Sequence, residues 1–162
     1  MSADQENTLY LEVPAGRVVI EMRPDLAPMH CAQIKELVRK GFYDGIPFHR
    51  VIEGFMVQTG CPRGNGTGGS GKNLKSEFSR EKHLRGVCSM ARAQDPHSAD
   101  SQFFIMLGDT PSLDGQYSVW GKVVSGMEYV DAIKKGSPSR NGSVTDPDKI
   151  VSFKVAADTA AA

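Results

Sequence analysis

The sequence has neither an excess of charge nor a long apolar run, and each absence excludes a class of function. Its 162 residues include nineteen Lys and Arg and nineteen Asp and Glu, so no basic surface indicates nucleic acid as a partner. No apolar stretch is long enough to span a membrane. The first residues, MSADQENTLYLE, lack the positive and apolar regions of a signal peptide. We therefore expect a cytoplasmic protein without a membrane anchor.

Disulfide and metal-site patterns are equally sparse. The chain has three cysteines and no CxxC motif, which favours reduced thiols in a cytoplasm over a disulfide framework. Neither the cysteines nor the histidines show the spacing of metal ligands. We expect no metal and no cofactor.

Period-two alternation of apolar residues predicts a mainly β protein of one domain. The alternation in 9–13 and 18–22 predicts a hairpin around the turn at 14–16, and further strands are expected at 48–52, 55–59, 87–91, 103–107, 119–124 and 150–155. Pro28 is placed to open a helix that runs toward Gly41, and a second, shorter helix is predicted at 127–134. We expect a flexible arm at residues 1–7, the domain at 8–156 and a frayed tail at 157–162.

The stretch Phe48–Gly60, FHRVIEGFMVQTG, combines a permanent cation, an apolar pair and a neutral amide. Arg50 lies a few residues from Phe55 and Met56, and Gln58 follows. No Ser–His or Cys–His pair and no paired carboxylates accompany them, so the set is suited to twisting a bond rather than breaking one. Strand alternation puts Met56 and Gln58 on one face and Phe55 on the other, unless the chain bends near Gly54.

Three stretches together resemble one family. FHRVIEGFMVQTG, MARAQDPHSADSQFFI (90–105) and LDGQYSVWGKV (113–123) are similar, in the same order, to segments of the cyclophilins, the peptidyl-prolyl cis/trans isomerases. The likeness covers residues 8 to 155 and is strongest to bacterial members. The resemblance implies a closed eight-stranded antiparallel barrel capped by two α-helices. It also implies a monomer that isomerises X–Pro bonds in proline-containing peptides and unfolded chains without a cofactor.

The resemblance also implies a set of site residues. It makes Arg50 and Gln58 catalytic, with the Arg50 guanidinium beside the prolyl nitrogen. Around them it implies substrate contacts from Phe55, Met56, Gly66, Ala91, Arg92, Ala93, Gln102, Phe104, Ser112, Leu113 and Tyr117. By alternation Phe104 shares a face with Gln102, whereas Phe103 faces the core. His49 is interpreted as a structural histidine, because the reaction needs no net proton transfer.

Three positions depart from the pattern common in the family. Arg92 stands where Asn is more frequent, Ser112 where many eukaryotic members have Trp, and Tyr117 where many have His. Tyr117 keeps an aromatic wall, so we expect the pocket to survive. Ser112 removes a large contact at the rim, so we expect weak binding of cyclosporin.

Two other functions compete with this interpretation. One is a non-enzymatic peptide-binding module on the same fold, which the complete set around Arg50 disfavours. The other is nucleotide binding, because residues 66–72 spell GxxxxGK. The next residue is Asn73 rather than Ser or Thr, and no helical pattern follows, so the phosphate-binding interpretation is weak.

Overall fold

The computed structural model describes residues 5–64, 66–95 and 97–159, and eight strands account for most of its regular structure. None of the described helices is both long and apolar enough to cross a membrane. The elements are β1 (Thr8–Val13), β2 (Gly16–Met22), α1 (Pro28–Arg39), β3 (Arg50–Ile52), β4 (Met56–Thr59), β5 (Val87–Met90), β6 (Phe103–Met106), β7 (Val119–Ser125), α2 (Met127–Asp131), β8 (Ser152–Val155) and α3 (Ala156–Thr159).

The strands form one curled antiparallel sheet in the order β3-β4-β6-β5-β7-β2-β1-β8. The predicted hairpin is present, with Leu11 opposite Val18. The alternating residues of β1 and β2 turn one face inward, so Leu9, Leu11 and Ile20 are fully buried. This periodicity is why both strands could be predicted from the sequence.

The prediction that the barrel is closed is wrong, because strand pairing stops at β3 and β8 and leaves an open half-barrel. The segments just before these strands do approach, with a single bridge between Pro47 and Lys149. The outer edge of β3 is covered by the loop at 136–144 instead, where Val51 donates to the Gly142 carbonyl at 2.8 Å. A covered edge needs no further strand, so β8 pairs only with β1.

Helix α1 begins at Pro28 as expected, but its cap comes from far along the chain. Ala27 at the N-cap offers no side-chain hydrogen bond. The Glu77 carboxylate accepts instead from the backbone N–H groups of Met29 and His30, at 3.1 and 2.8 Å. A carboxylate in this position satisfies two helix donors and complements the positive end of the helix dipole.

The sheet separates two apolar layers, and this separation positions the site. The main core lies inside the curl and includes Phe103, Ile105 and the single tryptophan, Trp120. A smaller cluster on the outer face contains Phe104 and Met56, with Phe55, Leu113 and Tyr117 packed against it. Neighbouring residues of β6 therefore serve opposite faces, as the alternation predicted.

Both described ends of the chain contact α1. Residues Gln5–Asn7 form a turn of 3-10 helix, and a third helix, α3, stands at 156–159, where the expected tail begins at 157. Arg39 joins the two ends, because its guanidinium lies 3.0 Å from both Glu6 and Asp158. These ion pairs are exposed and each contributes little stability. The remaining parts of the predicted arm and tail, 1–4 and 160–162, lie outside the described residues.

Candidate active site

The strand pair β3–β4 places the cation and the amide side by side. Arg50 is directly opposite Gln58 in the antiparallel register, and Val51 opposite Val57. The turn between the strands uses Gly54 at a φ of +76°, a conformation that glycine adopts readily. Phe55 lies in this turn before β4 begins, so it is not bound by strand alternation. This explains how Phe55 and Met56 reach the same cavity, a point that the sequence left open.

A directed chain of hydrogen bonds orders the polar side chains. Arg50 Nη1 donates to Gln58 Oε1 at 3.2 Å, and Gln58 Nε2 donates to Gln102 Oε1 at 3.0 Å. Gln102 Nε2 in turn donates to the carbonyls of Gly66 and Gly68 at 2.9 and 3.0 Å. Each amide therefore accepts from one neighbour and donates to the next, which fixes the orientation of both carboxamides.

The other side of Arg50 is held by Asn141. Arg50 Nε donates to the Asn141 carbonyl at 2.9 Å, and Nη2 to Asn141 Oδ1 at 3.0 Å. Gly142 allows this approach, because a Cβ there would come within 2.5 Å of Ile52 and 3.3 Å of the Arg50 side chain. Of the five guanidinium N–H groups, these bonds and the one to Gln58 use three, which leaves two for a ligand.

The Arg50 charge is held by neutral partners only. Within the described parts of the chain no carboxylate lies within salt-bridge distance of its guanidinium. The side chain is partly buried, and this burial lowers the pKa of Arg50 from its ordinary value, because desolvation disfavours the charged form. Arginine nevertheless stays protonated at physiological pH. The site therefore presents a charge that no protein carboxylate neutralises.

A cavity of about 120 Å³ opens directly beside Arg50, and we call it the apolar cavity after the apolar side chains that it contains. The rings of Phe104 and Tyr117 meet edge to face at 5.5 Å and form one corner of it. Its lining contains nine of the residues that the resemblance implied: Arg50, Phe55, Met56, Gln58, Ala91, Arg92, Phe104, Leu113 and Tyr117. Phe55, Met56, Phe104 and Leu113 contribute large apolar side chains, while Arg50, Gln58 and Arg92 contribute polar groups. This combination is typical of a pocket for a small ligand.

A second cavity of about 300 Å³ adjoins the first and contains three further predicted residues, Gly66, Ala93 and Gln102. The two cavities share Gln58, Ala91 and Arg92, so together they form one groove. Ser112 is the exception. It is exposed in the 3-10 helix Pro111–Leu113 and is absent from the linings of both cavities.

The Arg92 side chain has a role that the sequence did not indicate. Its guanidinium donates to the carbonyls of Gln116, Ala93 and Gln94 at 2.8 to 3.2 Å. It also lies over the Tyr117 ring, 4.7 Å from the centroid. Arg92 therefore connects the edge segment 91–94 with the segment that carries Tyr117, across the rim of the groove.

The glycine-rich loop at 66–72 binds the Asp100 carboxylate, an anion of the protein itself. The backbone N–H groups of Ser70, Gly71 and Lys72 donate to the Asp100 carboxylate at 2.9, 2.9 and 3.2 Å. These are the groups that would have to meet a phosphate if the loop bound nucleotide. Since they are already satisfied, and no helix follows the loop in the structure, the geometry gives no support to nucleotide binding.

His49 is buried, as expected of a structural histidine, but its Nδ1 has no hydrogen-bond partner among the described residues. Burial, with a smaller effect from the charge of Arg50, lowers its pKa. The ring is therefore neutral near pH 7. The His49 backbone also contributes structure, because its carbonyl accepts from Val144 N–H at 3.1 Å.

Sequence reasoning missed Asn141 and Asp100. Asn141 lies outside the three recognised stretches, and Asp100 lies within 90–105 but was not singled out. The dipeptide Asn141-Gly142 indicates a turn, but nothing in the sequence shows that this turn reaches Arg50. Such contacts between distant segments appear only once the chain is folded.

Comparison with known sequences identifies the family. The sequence model described as cyclophilin type peptidyl-prolyl cis-trans isomerase/CLD matches residues 8–155. A probable peptidyl-prolyl cis-trans isomerase of Brucella suis is 56% identical over 170 aligned positions, which cover 98% of this chain and 87% of the relative. The chain belongs to the cyclophilin-type isomerases. It is therefore an isomerase by family.

Solved cyclophilins share the fold. The crystal structure of a cyclophilin from Hirschia baltica superposes with a TM-score of 0.88 at 29% identity, covering 99% of this chain and 78% of that one. A cyclophilin-type isomerase of Cryptosporidium parvum, crystallised in the presence of the dipeptide Ala-Pro, gives a TM-score of 0.82 at 27% identity. That match covers 91% of this chain and 98% of the other.

Proposed function

We propose that this cyclophilin accelerates rotation about X–Pro bonds by placing the Arg50 guanidinium against the prolyl nitrogen. The observation that carries the proposal is a partly buried guanidinium, free of carboxylate partners, at the edge of an apolar cavity. Two of its N–H groups remain for a ligand after the bonds to Gln58 and Asn141. Gln58 orients the guanidinium, which makes it part of the catalytic set.

The chemistry follows from the electronic structure of the amide. The rotation barrier of about 20 kcal/mol arises because the nitrogen lone pair is delocalised into the carbonyl. A cation that donates to the nitrogen keeps the lone pair there and weakens the partial double bond. A 10⁵-fold acceleration requires about 7 kcal/mol of preferential transition-state stabilisation. A charge-assisted hydrogen bond from a partly buried guanidinium with fixed donors is suited to supply it without a covalent intermediate.

The groove divides the substrate between its two cavities. The apolar cavity receives the pyrrolidine ring between Phe55, Met56 and Phe104, with Leu113 and Tyr117 on the opposite wall. The Ala-Pro dipeptide named with the Cryptosporidium structure is a ligand of this chemical class. The chain next to the proline lies along 91–93, and its flanking side chain enters the second cavity. The Ala93 N–H is already bonded to Ser98 Oγ, and the Ala93 carbonyl to the Arg92 guanidinium. We therefore expect the substrate chain to pair with the backbone of Arg92.

The biological substrates are X–Pro bonds in unfolded or flexible chains, whose slow isomerisation limits folding. A groove that contacts the substrate backbone and the prolyl ring imposes few demands on the flanking sequence. Such a groove is suited to many different substrate proteins. We also propose that the protein is cytoplasmic and monomeric.

The decisive experiment compares Arg50→Ala with Arg17→Ala in an isomerisation assay on a proline tetrapeptide. Arg17 is a matched control, because it lies on β2 and pairs with Glu12, away from the groove. Arg50→Ala should lower kcat/KM at least 100-fold, mainly through kcat, since the charge acts in the transition state. Arg17→Ala should be unchanged. Near-wild-type turnover by a folded Arg50→Ala protein would rule out this mechanism.

A further inference from the structure

A buried histidine behind the apolar cavity has no part in the proposed reaction. His83 is 1% exposed, and both ring nitrogens face polar groups. Nδ1 lies 3.2 Å from Asp114 Oδ1, and Nε2 lies 3.0 Å from Ser89 Oγ. The order serine, histidine, carboxylate is that of hydrolase triads. Here Ser89 is fully buried, so its hydroxyl cannot meet a substrate and the group must serve another purpose.

The imidazole ring contacts two walls of the apolar cavity. It stacks on Phe104 with the ring centroids 6.2 Å apart and the planes at 22°, and it meets Tyr117 edge to face at 6.3 Å. Because packed interiors leave little free volume, a displaced ring at this position would change where both aromatic walls stand.

The backbone of His83 anchors the loop segment that carries the opposite wall. His83 N–H donates to Asp114 Oδ1 at 2.7 Å, and the His83 carbonyl accepts from Thr110 N–H at 2.9 Å. The segment 110–117 contains one short 3-10 helix and no strand. The segment therefore has no strand-pairing hydrogen bonds, and its position depends on contacts such as those with His83.

We infer that His83 is a positioning residue that fixes the segment 110–117 against Phe104 and so sets the width of the proline cavity. The inference rests on the proposed function, because it concerns the site assigned to the prolyl ring. Burial lowers the pKa of His83, while Asp114 opposes the shift. The ring is therefore neutral near pH 7, and the carboxylate favours the proton on Nδ1.

Three substitutions test this arrangement from both partners. His83→Phe keeps a flat ring against Phe104 but removes both side-chain hydrogen bonds. Asp114→Ala removes the acceptor, whereas Asp114→Asn retains an oxygen that accepts from the same N–H groups. The matched control is His30→Phe. His30 is equally buried and bonded to a carboxylate, that of Glu77, and neither residue lines the groove.

Both KM and kcat are measured on a proline tetrapeptide, beside thermal unfolding. His83→Phe and Asp114→Ala should raise KM about five- to tenfold with kcat within about twofold, because Arg50 is untouched. Asp114→Asn should stay within about twofold of the unmodified protein in KM. His30→Phe should lower Tm as His83→Phe does but leave KM unchanged.

Equal KM values for His83→Phe and His30→Phe would overturn the inference. If His83→Phe does not fold, the pair at Asp114 decides, and equal KM values for Asp114→Ala and Asp114→Asn would overturn it as well. Failure of the proposed function is distinguishable, because it would show as near-wild-type turnover in Arg50→Ala or as no isomerisation by the unmodified protein, and neither result depends on the residue at position 83.

Discussion

The two sides of the groove are held in place by different kinds of structure. On one side, Arg50, Gln58 and Phe104 stand on β3, β4 and β6, where each is fixed by the pairing of its own strand. On the other side, Leu113 and Tyr117 stand on a segment without strand pairing, which is held by side chains from elsewhere such as His83 and Arg92. In the proposed mechanism the reacting bond is contacted from the regular side, and the irregular side completes the cavity for the ring.

Because of this difference, we expect a substitution to affect kinetics differently on the two sides of the groove. In the proposed mechanism, a change on the strand side alters groups that face the reacting bond, while strand pairing preserves the fold. A change on the loop side alters the shape of the groove, because one lost contact frees several residues together. Kinetic constants distinguish the two effects: the first lowers kcat, and the second raises KM.

The strand side should show the larger effect in Gln58→Leu. Leucine has similar bulk but cannot accept from Arg50 or donate to Gln102, so the directed chain of amides is interrupted. We expect kcat/KM on a proline tetrapeptide to fall about 10- to 100-fold, by analogy with the loss of one preorganised polar group. Tm should change little, because Gln58 is only partly buried. A loss confined to KM would place Gln58 in binding rather than in catalysis.

The regular parts of the molecule could be predicted from the sequence for a physical reason. Period-two alternation reports which face of a strand is buried, and it correctly separated Phe104 from Phe103. Pro28 marked the start of α1 because a helix can begin with a residue that lacks an N–H. The second helix is shorter than predicted and ends at Asp131, since few local signals mark the end of a helix.

The remaining features depend on contacts between segments far apart in sequence. Glu77 caps α1 from 48 positions beyond Met29, Asn141 reaches Arg50 across 91 positions, and the loop at 136–144 covers the edge that a closed barrel would pair. None of these contacts has a local periodicity. For the same reason, the sequence did not indicate that the Arg92 guanidinium donates to three backbone carbonyls.

The affinity for cyclosporin tests whether Ser112 lies at the rim of the groove on the loop side. Members of the family with a Trp at this position cover apolar ligand surface that a serine cannot cover. Burial of an aromatic side chain is worth about 1.5–3 kcal/mol, which corresponds to roughly 10- to 100-fold in affinity. Ser112→Trp should therefore strengthen inhibition by that factor, with little effect on tetrapeptide turnover, because Ser112 is exposed outside both cavities.

The measurement is an inhibition titration of both proteins in the isomerase assay. Ser139→Trp is a suitable control, because Ser139 is exposed in a different 3-10 helix. Equal inhibition constants for Ser112→Trp and the unmodified protein would show that residue 112 does not contact the drug.

Arg92 tests whether the bridge across the rim acts through geometry or through charge. Arg92→Asn introduces the residue more common in the family and removes the bonds to Gln116 and the contact with Tyr117. We expect KM to rise about three- to tenfold, given typical values for hydrogen bonds and cation–π contacts. Arg92→Lys keeps the charge without the planar fork and should recover only part of the loss. Full recovery in Arg92→Lys would assign the effect to charge alone.

The smallest effect is expected from pH, because no titrating group takes part in the proposed step. Burial lowers the pKa of both His49 and His83 from the ordinary value of about 6.5. Both rings are therefore neutral in the folded protein above about pH 6.5, and kcat/KM should vary less than about twofold from pH 7 to 9. Because the unfolded chain binds protons first as the pH falls, stability should decrease below about pH 6.5. Measuring Tm and kcat/KM on the same samples separates the two, and a bell-shaped rate profile within pH 7 to 9 at constant Tm would instead indicate acid–base catalysis, with His49 next to Arg50 as the first candidate.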